Sequence, residues 1–283
     1  MRSEAEITNL ILNIAKANNQ IRAVLLNGSR ANPDVAKDCS QDYDIVFVVT
    51  TLEPFVTNLA WIDIFGERLI LQLPDAMTIG EKDSHSFHYL VLFKDGNRID
   101  LTLFPLHQID EAYKWDSLTK VLLDKDKLFA KLPPPSDVDY HIKRPAAAEF
   151  RDCCNEFWWV STYIGKALWR NEITYAKELL ELPVRSMFHK IIAWHIGIKT
   201  GFSVSFGKGG RHMKKYLSPV LYQSILHTYP DADITNIWNA LLLMTTIFSD
   251  LATNIAKELD FSYNNSEELN VTTYLKNIRV LSK

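Results

Sequence analysis

The sequence predicts an α+β fold, with a mixed β-sheet domain over residues 1–135 followed by an all-α helical bundle domain over residues 136–283. In the first part, short apolar segments bounded by turn residues alternate with a helical pattern. A proline run at 132–136 suits a linker, because proline cannot continue a helix or a central strand. From Pro145 onward the chain carries long helical patterns, which predict a helix bundle.

The first part predicts one helix and several strands. Over residues 4–17, Ile7, Leu10, Ile11 and Ile14 recur at helical spacing. The strands are expected at residues 21–26, 44–50, 68–73, 87–93 and 98–104. The continuous apolar run after Asp44 indicates a strand buried on both faces.

The second part predicts four long helices and an aromatic core. The helices are expected at residues 145–170, 172–201, 219–229 and 233–259. Tryptophans on such helices belong more often to the core than to a ligand platform. The tryptophans concerned are Trp158, Trp159, Trp169, Trp194 and Trp238.

Composition excludes several classes of protein. The 283 residues have a formal net charge of -3 and 47% hydrophobic content, so we expect a globular protein and no nucleic-acid partner. No apolar run is long enough to span a bilayer, and the N-terminus does not resemble a signal peptide. Cys39, Cys153 and Cys154 lack zinc-site spacing and are expected as reduced thiols, so a cytoplasmic enzyme is predicted.

Two motifs in the first part are typical of a metal-dependent phosphate site. Gly28 and Ser29 follow a buried strand, where glycine lets the backbone approach a phosphate closely. Asp42 and Asp44 bracket one residue, so at strand spacing both carboxylates point to the same side and repel each other without a cation. Magnesium favours such oxygen ligands. Separately, the two motifs are also compatible with an ordinary turn and a loop acid pair.

Asp100 is a lone acid within an apolar strand. Burying its carboxylate without a partner would be costly, and a metal held together with Asp42 and Asp44 would remove that cost. The alternative is an Asp100 that faces solvent from an edge strand. The three acids in this order are more specific than any one of them.

This arrangement resembles the DNA polymerase β-like nucleotidyltransferase superfamily. Longer segments are similar to the aminoglycoside 6-adenylyltransferases that act on streptomycin. The matching segments are residues 26–33, 41–46, 61–68, 93–101, 121–126 and 207–217. The resemblance implies a nucleotidyltransferase sheet domain, a helical domain, and transfer of AMP from ATP to a substrate hydroxyl with release of pyrophosphate.

The resemblance also implies roles for individual residues. Asp42 and Asp44 would hold two magnesium ions, and Asp100 would help to hold the ion nearest the nucleophile. The basic loop at 207–215 resembles a phosphate clamp, and the alternative is a solvated loop. The expected nucleotide-binding residues are Gly28, Ser29, Arg30, Lys208 and Lys214.

An acidic helix face is the candidate for binding the antibiotic. Glu149, Asp152 and Glu156 fall three and four residues apart, which places them on one face of a helix. Such a face could bind a polycationic aminoglycoside, and the alternative is an ordinary solvated face.

Two other functions remain open from the sequence. One is a related nucleotidyltransferase acting on an RNA end, which the acidic balance and the lack of long basic tracts disfavour. The other is a non-catalytic nucleotide-binding partner protein, which would not require a third carboxylate in an apolar strand.

Overall fold

The computed structural model describes residues 1–80, 85–109, 116–129 and 132–281. The chain divides into two compact units, Met1–Asp139 and Tyr140–Lys283. The sequence analysis expects the boundary after Pro135. The division of roles between a catalytic and a substrate-binding domain stays a prediction.

The first unit is built on a six-stranded mixed sheet, as predicted. Its strands are β1 (Ile21–Asn27), β2 (Tyr43–Val49), β3 (Arg68–Gln72), β4 (Phe87–Phe93), β5 (Arg98–Pro105) and β6 (Lys120–Asp124). Their spatial order is β3-β4-β5-β2-β1-β6. β2 and β5 pair in parallel, whereas the other neighbouring pairs are antiparallel. β6 was not predicted.

Apolar side chains cover both faces of this sheet. Helix α1 (Glu4–Ala17) begins at a capping box, in which Ser3 and Glu6 bond each other's backbone amide, and it buries Ile7 and Ile11 against one face. The short helices of this unit are α2 (Gly28–Ala31) and α3 (Glu53–Val56). The opposite face has its own cluster, which includes Leu25, Val48 and Phe104. The burial of β2 on both faces confirms the interpretation of its apolar run.

The second unit is helical, as predicted. Its helices are α4 (Ala147–Trp169), α5 (Ile173–Leu179), α6 (Arg185–Thr200), α7 (Met213–Tyr216), α8 (Pro219–Leu226), α9 (Ile234–Leu259) and α10 (Asn265–Leu281). The single helix expected at residues 172–201 is interrupted by a π-helical turn, Leu180–Val184. This turn contains Pro183, which lacks the amide hydrogen that a regular helix needs. α10 was not predicted.

The helical core only partly matches the prediction for tryptophan. Trp158, Trp194 and Trp238 are 2–4% exposed, but Trp159 and Trp169 are 58% and 54% exposed. Adjacent residues on a helix point about 100° apart, so burial of Trp158 directs Trp159 away from the core. The three cysteines are free thiols, as expected. No helix in the described part of the chain is long and apolar enough to span a membrane.

Candidate active site

The register of β2 and β5 brings the predicted acids together. Asp44 on β2 is the direct partner of Asp100 on β5, and these neighbouring strands run in parallel. Asp42 lies one residue before β2 begins, two positions from Asp44. All three carboxylates therefore lie at one end of the sheet, where the parallel strands β2 and β5 begin. We call Asp42, Asp44 and Asp100 the acid triad.

Gly28 is required by the position of Asp44. On the other side of β2, Asp44 pairs with Asn27, the last residue of β1, so Gly28 follows directly beside it. Gly28 adopts a φ of +68°, and a Cβ atom added there would lie 2.2 Å from Oδ2 of Asp44. Only glycine fits this close approach without moving the carboxylate. The glycine of the Gly-Ser sequence is thus explained by its packing against Asp44.

The triad carries a net negative charge. Burial, together with repulsion from Asp100 and Asp42, raises the pKa of Asp44 to about 6, while Arg98 opposes this rise. Burial also raises the pKa of Asp42, while Arg98 opposes this rise and Asp100 adds to it. These shifts identify a place where a cation would relieve desolvation and repulsion together.

Arg98 is a charged neighbour of the triad that was not predicted from the sequence. Its Nε and Nη2 atoms donate to the two carboxylate oxygens of Asp100, each at 2.7 Å. Its Nη1 atom lies 3.6 Å from Oδ2 of Asp42. The signal was available, because residues two apart on a strand share a face and Arg98 precedes Asp100 by two positions.

The triad fits a divalent cation by its chemistry. Carboxylate oxygens are the donors that magnesium prefers, and burial together with the two neighbouring acids raises the pKa of Asp44. Among the described residues, no group of three His, Cys, Asp or Glu side chains is already arranged to hold a metal. Both oxygens of Asp100 are engaged by Arg98 instead. A cation shared by all three acids would therefore compete with Arg98 for Asp100.

Arg30 supports the loop that delivers Asp42. Its side chain is buried, and Nε donates to the carbonyls of Gln41 and Asp42 at 3.2 and 3.1 Å. Its guanidinium also stacks over Tyr43, 3.8 Å from the ring centroid. These contacts make Arg30 a positioning residue for the start of β2, and its expected nucleotide contact stays a prediction. Ser29 is half-buried in α2 beside it.

Lys208 and Glu149 line the same cavity of the helical unit. This cavity, of about 300 Å³, also has Lys143, Lys190 and the buried Trp194 in its wall. Glu149 lies 3.5 Å from Nζ of Lys190. We call Lys143, Lys190, Lys208 and Glu149 the lysine pocket. Its balance of three cations to one anion was not visible from the sequence.

The remaining predicted residues lie on the surface of the helical unit. Asp152 lines a different cavity, of about 730 Å³, and forms a 3.0 Å ion pair with Arg151. Glu156 and Lys214 are exposed. Trp159 lies three residues beyond Glu156 on the exposed face of α4, and its Nε1 donates to the hydroxyl of Tyr163 at 2.8 Å. Glu156 and Trp159 are thus both exposed and lie three residues apart on α4.

Comparison of the sequence with known proteins identifies the family of this chain. The model of the streptomycin adenylyltransferase family matches residues 1–278. An aminoglycoside 6-adenylyltransferase from Campylobacter jejuni is 43% identical over 93% of this chain and 91% of its own length. One from Bacillus subtilis (strain 168) is 40% identical over 98% of both chains.

A solved structure gives a similar match. The crystal structure of an aminoglycoside 6-adenyltransferase from Bacillus subtilis covers 99% of both chains at 35% identity, with a TM-score of 0.49. The family model and the two sequence relatives each span nearly the whole chain, both the sheet unit with its acid triad and the helical unit. The chain therefore belongs to the streptomycin adenylyltransferase family and is an adenylyltransferase.

Proposed function

We propose that this enzyme transfers AMP from ATP to a hydroxyl of a streptomycin-type aminoglycoside and so confers resistance to the antibiotic. The acceptor oxygen forms a bond to the α-phosphorus of ATP. The bond from that phosphorus to the bridging oxygen breaks, and pyrophosphate leaves with the electron pair. The observation that carries this proposal is the pairing of Asp44 with Asp100 across β2 and β5, with Asp42 beside them.

The acid triad suits a site for two magnesium ions. Magnesium would hold the attacking and leaving oxygens in line and neutralise charge that develops at phosphorus. We assign Asp42 and Asp44 to both ions and Asp100 to the ion nearest the acceptor. Asp100 or a neighbouring acid is the candidate to accept the hydroxyl proton.

We propose that Gly28 and Ser29 bind phosphate oxygens of ATP, and that the lysine pocket binds an anionic group with Lys208 as its principal contact. Gly28 leaves room beside Asp44, and Ser29 follows it at the start of α2. Three lysines against one glutamate favour an anionic ligand in the pocket, since mobile cations neutralise phosphate oxygens. Lys208 is the leading candidate, because positive-φ glycines stand on either side of it.

The excess of lysines in the pocket separates Glu149 from the other two acids on α4 in its proposed role. Glu149 lies 3.5 Å from Lys190, so it is better suited to orienting that lysine than to reading a cationic antibiotic. Asp152 and Glu156 remain the candidates for antibiotic recognition. Trp159 offers the guanidinium groups of the antibiotic an aromatic face beside Glu156. We therefore propose Asp152, Glu156 and Trp159 as the acceptor-binding set.

Family membership favours this function over the two alternatives from the sequence. The relatives carry the name of a small-molecule adenylyltransferase, which does not fit an RNA end or a non-catalytic partner. The need for ATP favours a cytoplasmic location.

The direct test is product analysis. Purified enzyme is incubated with ATP, magnesium and streptomycin, and we expect pyrophosphate together with antibiotic that has gained one AMP group by mass spectrometry. Asp44→Asn is the matched inactive control. A transfer RNA and an aminoglycoside without guanidinium groups serve as competing acceptors. Expression in a sensitive bacterium should raise the streptomycin concentration needed to stop growth. AMP transfer to RNA, or no transfer to any acceptor, would refute the proposal.

A further inference from the structure

We propose that Arg98 is an internal counter-ion of Asp100 that competes with a divalent cation for binding to all three acids. This inference rests on the proposed function of the acid triad as a metal site. It assigns Arg98 a regulatory and positioning role, which is distinct from contact with substrate.

The geometry of Arg98 matches that of a competing cation. Its two bonds to Asp100, each 2.7 Å long, form a bidentate pair that uses both carboxylate oxygens. Its third nitrogen lies 3.6 Å from Asp42, so the guanidinium bridges two members of the triad. The hydrogen bond to Asp100 raises the pKa of Arg98, burial opposes this rise, and the charges of the three acids add to it. A metal ion that coordinates Asp100 therefore competes with Arg98 for the same two oxygens.

Arg98 can leave only by moving. A guanidinium keeps its proton under all ordinary conditions, so deprotonation cannot remove the competing charge. Its side chain is 42% exposed, whereas that of Asp100 is 21% exposed. The exposed arginine can therefore rotate toward solvent or toward a negatively charged ligand while Asp100 stays in the strand.

The charge of the triad explains why such a counter-ion is useful. Three carboxylates at one end of the sheet repel one another. Arg98 reduces the net charge of this group from -3 to -2. The metal-free protein is stabilised by this pairing. The cost is a weaker site for a lone cation, which makes the site selective for a cation that arrives with a nucleotide to hold the released arginine.

The test is metal binding in the absence of nucleotide and antibiotic. Manganese titration by calorimetry is compared for the parent, Arg98→Gln and Arg98→Lys. We expect Arg98→Gln to bind manganese about tenfold more tightly, because it removes a charge-assisted bidentate contact that competes for Asp100. Its melting temperature without metal should fall, and the rise on adding manganese should be larger. Arg98→Lys keeps the charge but loses the planar fork, so its affinity should lie between the two.

A matched control is available on the same sheet. Arg68, the first residue of β3, forms an ion pair with Asp63 outside the triad. Arg68→Gln therefore removes a similar surface pair. It should leave manganese affinity unchanged. If the parent binds manganese and Asp44→Asn does not, but both Arg98 variants bind it no more tightly than the parent, the counter-ion role is overturned while the metal site stands. Absence of binding in every protein would overturn both proposals.

Discussion

Gly28→Ala should separate the geometry of the triad from the stability of the fold. An alanine Cβ would lie 2.2 Å from Oδ2 of Asp44. Carbon and oxygen atoms in contact need about 3.3 Å, so the carboxylate must move by about 1 Å. A displacement of about 1 Å in a catalytic group can lower the rate about 100-fold. The φ of +68° at Gly28 adds backbone strain of about 1–2 kcal/mol for alanine.

The matched control for this prediction is Gly201→Ala. Gly201 has a φ of +62°, and a Cβ added there meets nothing within 4 Å. Both variants should lose a similar free energy of unfolding from strain in urea titrations, but only Gly28→Ala should lose about 100-fold in kcat/KM for pyrophosphate release. If Gly28→Ala kept the activity of the control, Asp44 would not be held in place by this contact and the reasoning would fail.

Three further substitutions in the helical unit test its proposed roles. Lys208→Ala should raise the KM for ATP or lower kcat while leaving the affinity for streptomycin unchanged, as steady-state kinetics would show. Trp159→Ala should weaken streptomycin binding about threefold or more by calorimetry, because an exposed cation–π contact contributes about 0.5–1 kcal/mol. Burial lowers the pKa of His195 to about 4, so His195 takes up a proton at a lower pH in the folded state than in the unfolded state. Stability should therefore fall from about pH 6.5 to about pH 4 in urea titrations, and less steeply in His195→Gln.

Exposed residues of the same type serve as controls for these three. Lys276→Ala, Trp169→Ala and His227→Gln each change a side chain outside the lysine pocket and the acid face of α4. A loss of ATP use in Lys276→Ala equal to that in Lys208→Ala would mean that general charge, not the pocket, matters. Equal effects of the two tryptophan variants would exclude a specific aromatic contact. An unchanged acid slope in His195→Gln would show that another group takes up the proton.

The spacing of the triad was readable from the sequence, but its assembly was not. Two acids two residues apart share a strand face wherever the strand lies. The contribution of Asp100 depends on β5 lying next to β2 in parallel and in register, which no local pattern encodes. β6 was missed because Lys120–Asp124 is a five-residue strand with little pattern. α10 was missed because Leu275 is its only buried side chain among the described residues.

The helical unit shows why candidate residues for binding an organic ligand are harder to identify from sequence than candidate metal ligands. Candidate metal ligands can be identified by residue type, because burying a carboxylate in an apolar strand is costly unless a cation or another partner compensates its charge. Trp158 and Trp159 are identical in type and adjacent, and only the helical phase of α4 decides which one is buried. Likewise, Glu149 looks like its acidic neighbours until the structure places three lysines around its cavity.

The placement of the triad explains how the fold tolerates it. β2 and β5 are interior neighbours of the sheet, and the residues that follow the acids, such as Val48, Leu101 and Leu103, are fully buried. Each such side chain contributes roughly 1.5–3 kcal/mol by leaving water. This burial holds both strands in register against the repulsion at their first residues, which Arg98 reduces from one side. The acids therefore sit where the backbone is least free to separate them. Because the strands cannot move apart, the carboxylates stay close together and repel one another. A bound cation would relieve this repulsion, which favours its binding.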